Sequence, residues 1–317
     1  MFGRWRAKFR PRAIKPQGLL LLSCGGLGDT VLLSHVIEHF CKYAADKEPV
    51  TILLREDGAK TAFLFPDYVK TFIVDFPLFQ KNLTYRYHIS TQLYDANYRV
   101  VISTDFLRHP DLDETMMRAA GAPETIAMKA RPWTKYQAQL DKNSRIFSSL
   151  FDSGAALQDK VLRWFKFANW LTGESVLPKL RLSKPNNQPN EEQPLVLIQP
   201  FSAVRAKQCL PAVYEALFDA LPQDTDIRIT GAPNEMDKNP TFAYLLNRPN
   251  VSFEDAGFID LAGLMKAARL VVSVDTAVMH LSVAEGAPTL CLASAAYVGE
   301  IVPYAKNISP KNVKFYY

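Results

Sequence analysis

Apolar residues gather along the chain in short continuous runs. A polar turn follows each run, and then a longer stretch of helical spacing. Gly18–Cys24 (GLLLLSC) is the first run; an unbroken apolar stretch of that length suits a strand covered on both faces. Gly25–Asp29 reads as a tight loop. Thr30 to about Ala45 reads as a helix, with Val31, Leu32, His35, Val36, His39 and Phe40 near helical spacing. Val50–Leu54 predicts the next strand, Gly58–Phe65 a short helix, and Thr71–Val74 and Arg99–Ser103 further strands. Residues 105–180 read as mostly helical and less regular, with amphipathic stretches at Met116–Ala120 and Val161–Leu171.

Ser183–Gln193 (SKPNNQPNEEQ) is polar and holds two prolines, the composition of a linker. The pattern then restarts. Leu195–Gln199, Asp226–Thr230, Leu270–Val274 and Thr289–Leu292 predict strands, the last of them the final one. Pro211–Leu221 and Leu261–Ala268 predict helices, with Pro211 suited to a first turn, and Asp275–Glu285 a loop and helix. Alternating strand and helix argues for parallel, doubly wound sheets. The expected organisation is α/β: an N-terminal extension over 1–17, Rossmann-like domains over 18–182 and 194–317, and a linker over 183–193. Two such domains would leave a ligand cleft at the carboxyl ends of their strands.

At 317 residues, with 48% apolar and 22% charged residues, the chain has the composition of a two-domain globular protein. No apolar run reaches the ~18 residues of a membrane span. Cys24, Cys41, Cys209 and Cys291 are widely spaced and form no CxxC pair, so neither a zinc ribbon nor a disulfide framework is suggested. Reduced thiols fit a cytoplasmic location. Charge is concentrated at one end: Arg4, Arg6, Lys8, Arg10, Arg12 and Lys15 fall within the first 15 residues, interleaved with Phe2, Trp5 and Phe9 and with no acid. That tail suits an anionic membrane surface, or is a solvated terminus. The near-neutral remainder gives no basic face for nucleic acid.

Four strand ends carry candidate chemistry. The first is Gly25-Gly26-Leu27-Gly28-Asp29, where glycines allow a sharp turn and Asp29 would cap the following helix or act in catalysis. It lacks the GxxxxGK[ST] of a phosphate loop, and Val31 stands where a dinucleotide fingerprint needs glycine, which argues against a nicotinamide enzyme. The second is Asp275-Thr276-Ala277-Val278-Met279-His280. Asp275 or Thr276 can cap a helix whose free amides could bind a diphosphate, and His280 would face that region or pack inside. The third, Ser202–Lys207 (SAVRAK), offers a hydroxyl, an arginine and a lysine suited to phosphate. The fourth, Gly231-Ala232-Pro233-Asn234-Glu235, offers an acid that could hold ribose hydroxyls.

In these motifs the chain resembles glycosyltransferase family 9, the heptosyltransferases, which transfer heptose from ADP-heptose in lipopolysaccharide core synthesis. The resemblance rests on the strand and GGLGD loop at 19–33, then on SAVRAKQCLP, ITGAPNE and LAGLMKAARLVVSVDTAVMHLSVAEGAPTLCLAS from Leu195 to about Tyr304. The last segment keeps Asp275, Thr276, His280, Leu281, Ala284, Gly286, Pro288 and Thr289 of the family pattern. The resemblance implies a GT-B fold, a nucleotide-sugar donor on the C-terminal domain, no cofactor or required metal, and an inverting displacement. It implies Asp29 as general base, with Gly25, Gly26 and Gly28 on the acceptor side. It implies Lys207 and Ser202 at the donor phosphates, with the amides of Thr276, Ala277 and Val278 and with Asp275 and His280 nearby. Gly231 and Glu235 fall at the ribose. The acceptor would be a lipid-linked glycan at the inner face of the inner membrane. Two departures favour a second reading, a non-catalytic relative that binds a nucleotide sugar or a partner protein. Ala277 replaces the family's glycine, which matters if that backbone needs positive φ. The sequence also stops at Tyr317, before the further helix expected of the family.

Overall fold

The computed structural model describes residues 12, 15–183, 194–294 and 298–317. The expected linker beyond Ser183, and the basic tail apart from Arg12 and Lys15, lie outside the described residues. The chain divides into two compact units, Met1–Leu177 and Pro178–Tyr317.

In the first unit the elements run β1 (Leu19–Ser23), α1 (Leu27–Ser34), α2 (Ile37–Cys41), β2 (Val50–Arg55), a 3-10 turn (Gly58–Leu64), β3 (Val69–Val74), α3 (Phe76–Lys81), α4 (Leu83–Asp95) and β4 (Val100–Ser103). They continue with α5 (Asp113–Ala120), β5 (Glu124–Met128), α6 (Gln137–Asn143), β6 (Ser149–Phe151) and α7 (Lys160–Thr172). The sheet is parallel, in the order β3-β2-β1-β4-β5-β6. Leu19 to Leu22 are fully buried, as their unbroken run predicts. Strand alternation sends Leu20 and Leu22 into one cluster with Phe79, Leu93, Met116 and Met117. Each such side chain contributes about 1.5–3 kcal/mol by leaving water.

Three expectations need correction here. The helix drawn from Thr30 to Ala45 starts earlier, at Leu27, and breaks at His35–Val36. Ser34 Oγ donates to Val31 O at 2.7 Å, and the amides of His35 and Val36 bond only three residues back, a tightening that hydroxyl side chains promote. Residues 105–180, expected to be mostly helical and less regular, also contain β5 and β6; Glu124–Met128 (ETIAM) opens on two polar residues, and the three-residue edge strand Ser149–Phe151 is too short to show a period. Arg12 is bound to the folded unit, with Nη1 donating to Gly121 O at 3.0 Å and the guanidinium 4.0 Å above the Tyr94 ring. A cation there meets the free carbonyls at the end of α5.

In the second unit the order is β7 (Leu195–Gln199), a 3-10 turn (Arg205–Lys207), α8 (Pro211–Ala220), β8 (Asp226–Thr230), α9 (Glu235–Lys238), a 3-10 turn (Pro240–Asn247) and β9 (Val251–Glu254). Then come α10 (Phe258–Ala267), β10 (Leu270–Val274), α11 (Ala277–Ala284), β11 (Thr289–Leu292) and β12 (Val313–Tyr316). This sheet is also parallel, β12-β11-β10-β7-β8-β9. Thr289–Leu292 is therefore not the final strand, since β12 adds beside it with Thr289 opposite Val313. Relative to its first strand, each unit has the same winding. In each, the order reverses between the first and fourth strands, β1/β4 and β7/β10. A crevice opens at the carboxyl ends of such a pair, and ligands of open α/β sheets bind there.

Candidate functional site

At the first switch point, β1 ends at Ser23 and the chain turns through Cys24, Gly25 and Gly26 into α1. Asp29, drawn as a loop residue, sits in the first turn of α1. Its Oδ2 accepts from the Gly26 amide at 3.2 Å, closing a capping interaction. Gly25 is needed for this wrap: a Cβ there would lie 2.5 Å from both Cβ and Oδ2 of Asp29. Gly28 is the second residue of α1.

Two residues that the motif reading did not single out complete this end. Lys160, the first residue of α7, places Nζ 2.7 Å from Asp29 Oδ1. Asp159 fixes the start of α7 by accepting from the Leu162 amide at 3.0 Å, so a helix start was readable before the amphipathic stretch. Asp105 follows β4 and its Oδ2 accepts from the Cys24 amide at 2.6 Å, tying the two strand ends together. Burial pushes the Asp105 carboxyl up to about 6, against the pull of Lys160. The strand-end rule that selected Asp29 and Asp275 also selects Asp105. Trp164 on α7 donates from Nε1 to Thr104 O at 2.7 Å, so α7 is pinned to the same strand end.

At the second switch point, Lys207 Nζ lies 2.7 Å from Asp275 Oδ2 and 3.2 Å from Asp275 O. Asp275 is thus turned to the lysine and does not cap α11. Thr276 occupies the N-cap in an extended conformation without a side-chain capping bond. The amides of Ala277, Val278 and Met279 precede the first intrahelical bond, from His280 N to Thr276 O. Ala277 is the first residue of α11, and the only non-glycine residues with positive φ among those described are Lys47 and Asn97. Alanine therefore fits this backbone without strain, and that ground for a non-catalytic relative falls away. Ser202, on the same strand-end loop as Lys207, accepts from the Val204 amide at 3.2 Å through Oγ.

The other predicted residues divide. His280 is buried, with Nδ1 2.7 Å from the Tyr304 hydroxyl, so of its two expected placements the structure gives the interior one. Gly231 ends β8 against its neighbours, since a Cβ there would be 3.0 Å from Glu235 Cβ and 3.1 Å from Phe201 and Phe253 ring atoms. Glu235 opens α9, where its carboxylate accepts from Asn239 Nδ2 at 3.2 Å. Ser202, Lys207, Gly231, Glu235 and Asp275 to Val278 accordingly all follow the carboxyl ends of β7, β8 and β10.

The model of glycosyltransferase family 9 (heptosyltransferase) matches residues 132–313. That range holds the whole second switch point; it starts after the Gly25–Asp29 loop and includes residues 132–182, where the motif reading found little likeness. No curated protein matches the chain by sequence. Among solved structures, the chain is similar to Escherichia coli heptosyltransferase WaaC with ADP, at 17% identity and a TM-score of 0.71, over 94% of this chain and 92% of that one. A glycosyltransferase family 9 protein from Veillonella parvula DSM 2008 matches at 13% identity and a TM-score of 0.70, over 96% and 88%. Escherichia coli ADP-heptose lipopolysaccharide heptosyltransferase II matches at 13% and 0.64, over 94% and 90%. These likenesses show the GT-B fold class that two doubly wound units predict. With more than half of its length matched by the family model, the chain belongs to glycosyltransferase family 9, the heptosyltransferase family, and is a glycosyltransferase.

Proposed function

We propose that the protein moves a heptose from ADP-heptose onto a hydroxyl of a lipopolysaccharide inner-core or related surface-glycan acceptor, with inversion at the anomeric carbon. The observation that carries this reading is the Lys207 ammonium, held at Asp275 two residues before α11, whose first-turn amides precede the first intrahelical bond. Lysine and helix amides together suit a diphosphate. Escherichia coli WaaC has been solved with ADP and with ADP-2-deoxy-2-fluoro heptose, which supports an ADP-sugar donor here.

In this mechanism Asp29 accepts the proton of the acceptor hydroxyl as its oxygen bonds to the anomeric carbon. The bond from that carbon to the diphosphate oxygen breaks in the same displacement, and ADP leaves with the electron pair. Lys207 and the amides of Thr276, Ala277 and Val278 offset the charge growing on the leaving group, and Ser202 adds a hydroxyl. None of these roles requires a metal at the phosphates. Glu235, beyond the turn at Gly231, holds the ribose. Asp275 sets the lysine, and His280 supports α11 from within. The Cys24–Asp29 loop, with Gly25, Gly26 and Gly28, serves the acceptor. No helix of the described residues is long and apolar enough to cross a membrane. Docking at the cytoplasmic face of the inner membrane would then fall to the basic tail. A chain starting near Pro16 should lose binding to anionic vesicles in low salt.

Calorimetric titration with ADP, UDP, GDP and CDP, and NAD as control, tests the donor. Selective ADP binding followed by transfer from ADP-heptose to a heptose-deficient lipopolysaccharide supports the reading. Preference for another diphosphate overturns the heptose assignment.

A further inference from the structure

We propose that Cys24, Asp105 and Asp113 form a binding site for a divalent transition metal of the zinc class. The inference stands apart from the transferase reading. Cys24 lies just past β1, Asp105 just past β4, and Asp113 at the first residue of α5. One donor atom from each, a sulfur and two carboxylate oxygens, lies within 4.8 Å of the other two. An ion about 2.0–2.3 Å from each donor would draw that set inward around itself.

The carboxylates are oriented as metal ligands commonly are, with one oxygen fixed by a neighbouring group. Asp105 Oδ2 accepts from the Cys24 amide at 2.6 Å, and Asp113 Oδ1 accepts from the His109 amide at 2.7 Å. Asp113 is 1% exposed, yet its Oδ2 has no hydrogen-bond partner among the described residues. A buried carboxylate oxygen without a donor is costly, and a cation would satisfy it. Asp105 is also buried, and Cys24 is partly buried.

Charge balance points the same way. Arg108 is matched by Glu114, at 3.5 Å with both buried, and Lys160 by Asp29. Arg55 is paired with Asp57 at 3.0 Å. Asp105 and Asp113 are left as two buried acids without an ion-pair partner of their own among the described residues. A dication would offset most of the charge of the two carboxylates and a deprotonated Cys24, whose thiol proton would leave to solvent; without an ion, protons must carry these groups. A sulfur ligand beside two carboxylates favours zinc-class ions over magnesium or calcium, which take oxygen ligands. Such an ion would lock the end of β1, the end of β4 and the start of α5 together and stiffen the loop that leads to Asp29.

The full chain, stripped with chelator and desalted, should bind Zn2+ with one ion per chain in calorimetry and gain thermal stability. Co2+ in place of Zn2+ should give a thiolate-to-metal charge-transfer band in the near ultraviolet. Cys24→Ser should lose that band. Asp113→Asn and Asp105→Asn, which keep side-chain shape, should weaken Zn2+ binding by about tenfold or more. Cys41→Ser, a buried cysteine outside the cluster, should leave binding and band unchanged. Failure of the folded wild-type chain to bind Zn2+, or equal binding and an intact band in the Cys24 and Asp113 variants, overturns the site and leaves the two carboxyls carried by protons.

Discussion

Lys207 Nζ lies 2.7 Å from Asp275 Oδ2, and the two side chains are only 11% and 6% exposed. The pair joins the loop after β7 to the residue after β10, the two strands between which the strand order of the second sheet reverses. An ammonium fixed there is positioned before any anion arrives, which reduces the ordering cost of binding.

Removing the lysine alone leaves Asp275 buried with its partner gone. Lys207→Ala should therefore lose stability, by about 3 kcal/mol for a broken buried pair. It should also weaken ADP binding by at least about tenfold, the loss of one charge-assisted contact. The double variant Lys207→Met, Asp275→Asn should recover the stability without recovering ADP. Thermal unfolding and calorimetry read the two effects separately. Undiminished ADP affinity in Lys207→Ala would remove the lysine from the donor site.

Asp29 is held between the Gly26 amide and Lys160, so its role can be tested by identity and by position. Asp29→Asn should reduce transfer by about 10²–10⁴, the usual contribution of a general base, with ADP affinity unchanged. Gly25→Ala keeps the carboxylate but puts a Cβ 2.5 Å from it, so the side chain must move. Its transfer rate should fall in the same direction, again with ADP binding retained. Full transfer by the asparagine variant would exclude Asp29 as the base.

Trp164 links the fold to that carboxylate. It is buried, donates to Thr104 O at 2.7 Å, and lies one helical turn beyond Lys160. Trp164→Phe removes the donor and leaves the carbonyl unsatisfied, at a cost of about 1–3 kcal/mol. Because α7 presents Lys160, transfer should fall along with stability. A destabilised variant with an unchanged transfer rate would show that α7 does not position the acid.

The readable parts of the chain were those where burial leaves a local signature. Leu19–Leu22 and Leu270–Val274 lie inside their sheets, and an unbroken apolar run has few other uses. Asp29 and Asp275 were found because each follows such a run. The edge strand Ser149–Phe151 is too short to show a period, and Val313–Tyr316 (VKFY) buries only Val313 and has a lysine second, so it forms no unbroken apolar run. Lys160 was missed because its partner lies far off in the chain. Even the clear DTAVMH motif did not reveal that Asp275 serves Lys207 and not the helix end. Side-chain pairing depends on which strands become neighbours, and that order is not written locally.

Glu48 gives a pH test of the first unit. Both its oxygens are engaged: Oε1 by the Gly18 amide and Arg99 Nε, each at 2.8 Å, and Oε2 by the Ala45 amide at 2.8 Å and Arg99 Nη2 at 2.7 Å. Its side chain is 3% exposed. The Arg99 hydrogen bonds, with help from the two amides, hold its pKa down to about 2, from an ordinary 4.5. The folded protein thus binds the Glu48 proton more weakly than the unfolded chain. The resulting stabilisation is complete above about pH 4.5 and disappears as the pH falls toward about 2. A shift of that size corresponds to roughly 3 kcal/mol. Glu48→Gln lacks the titration and leaves Arg99 with Glu124, 3.2 Å away. The variant should be less stable than the wild-type chain at pH 7 by an amount of that order, and the gap should close as both are unfolded at successively lower pH. A gap that stays constant from pH 7 to pH 2 would show that packing around Glu48, and not its charge, carries the effect.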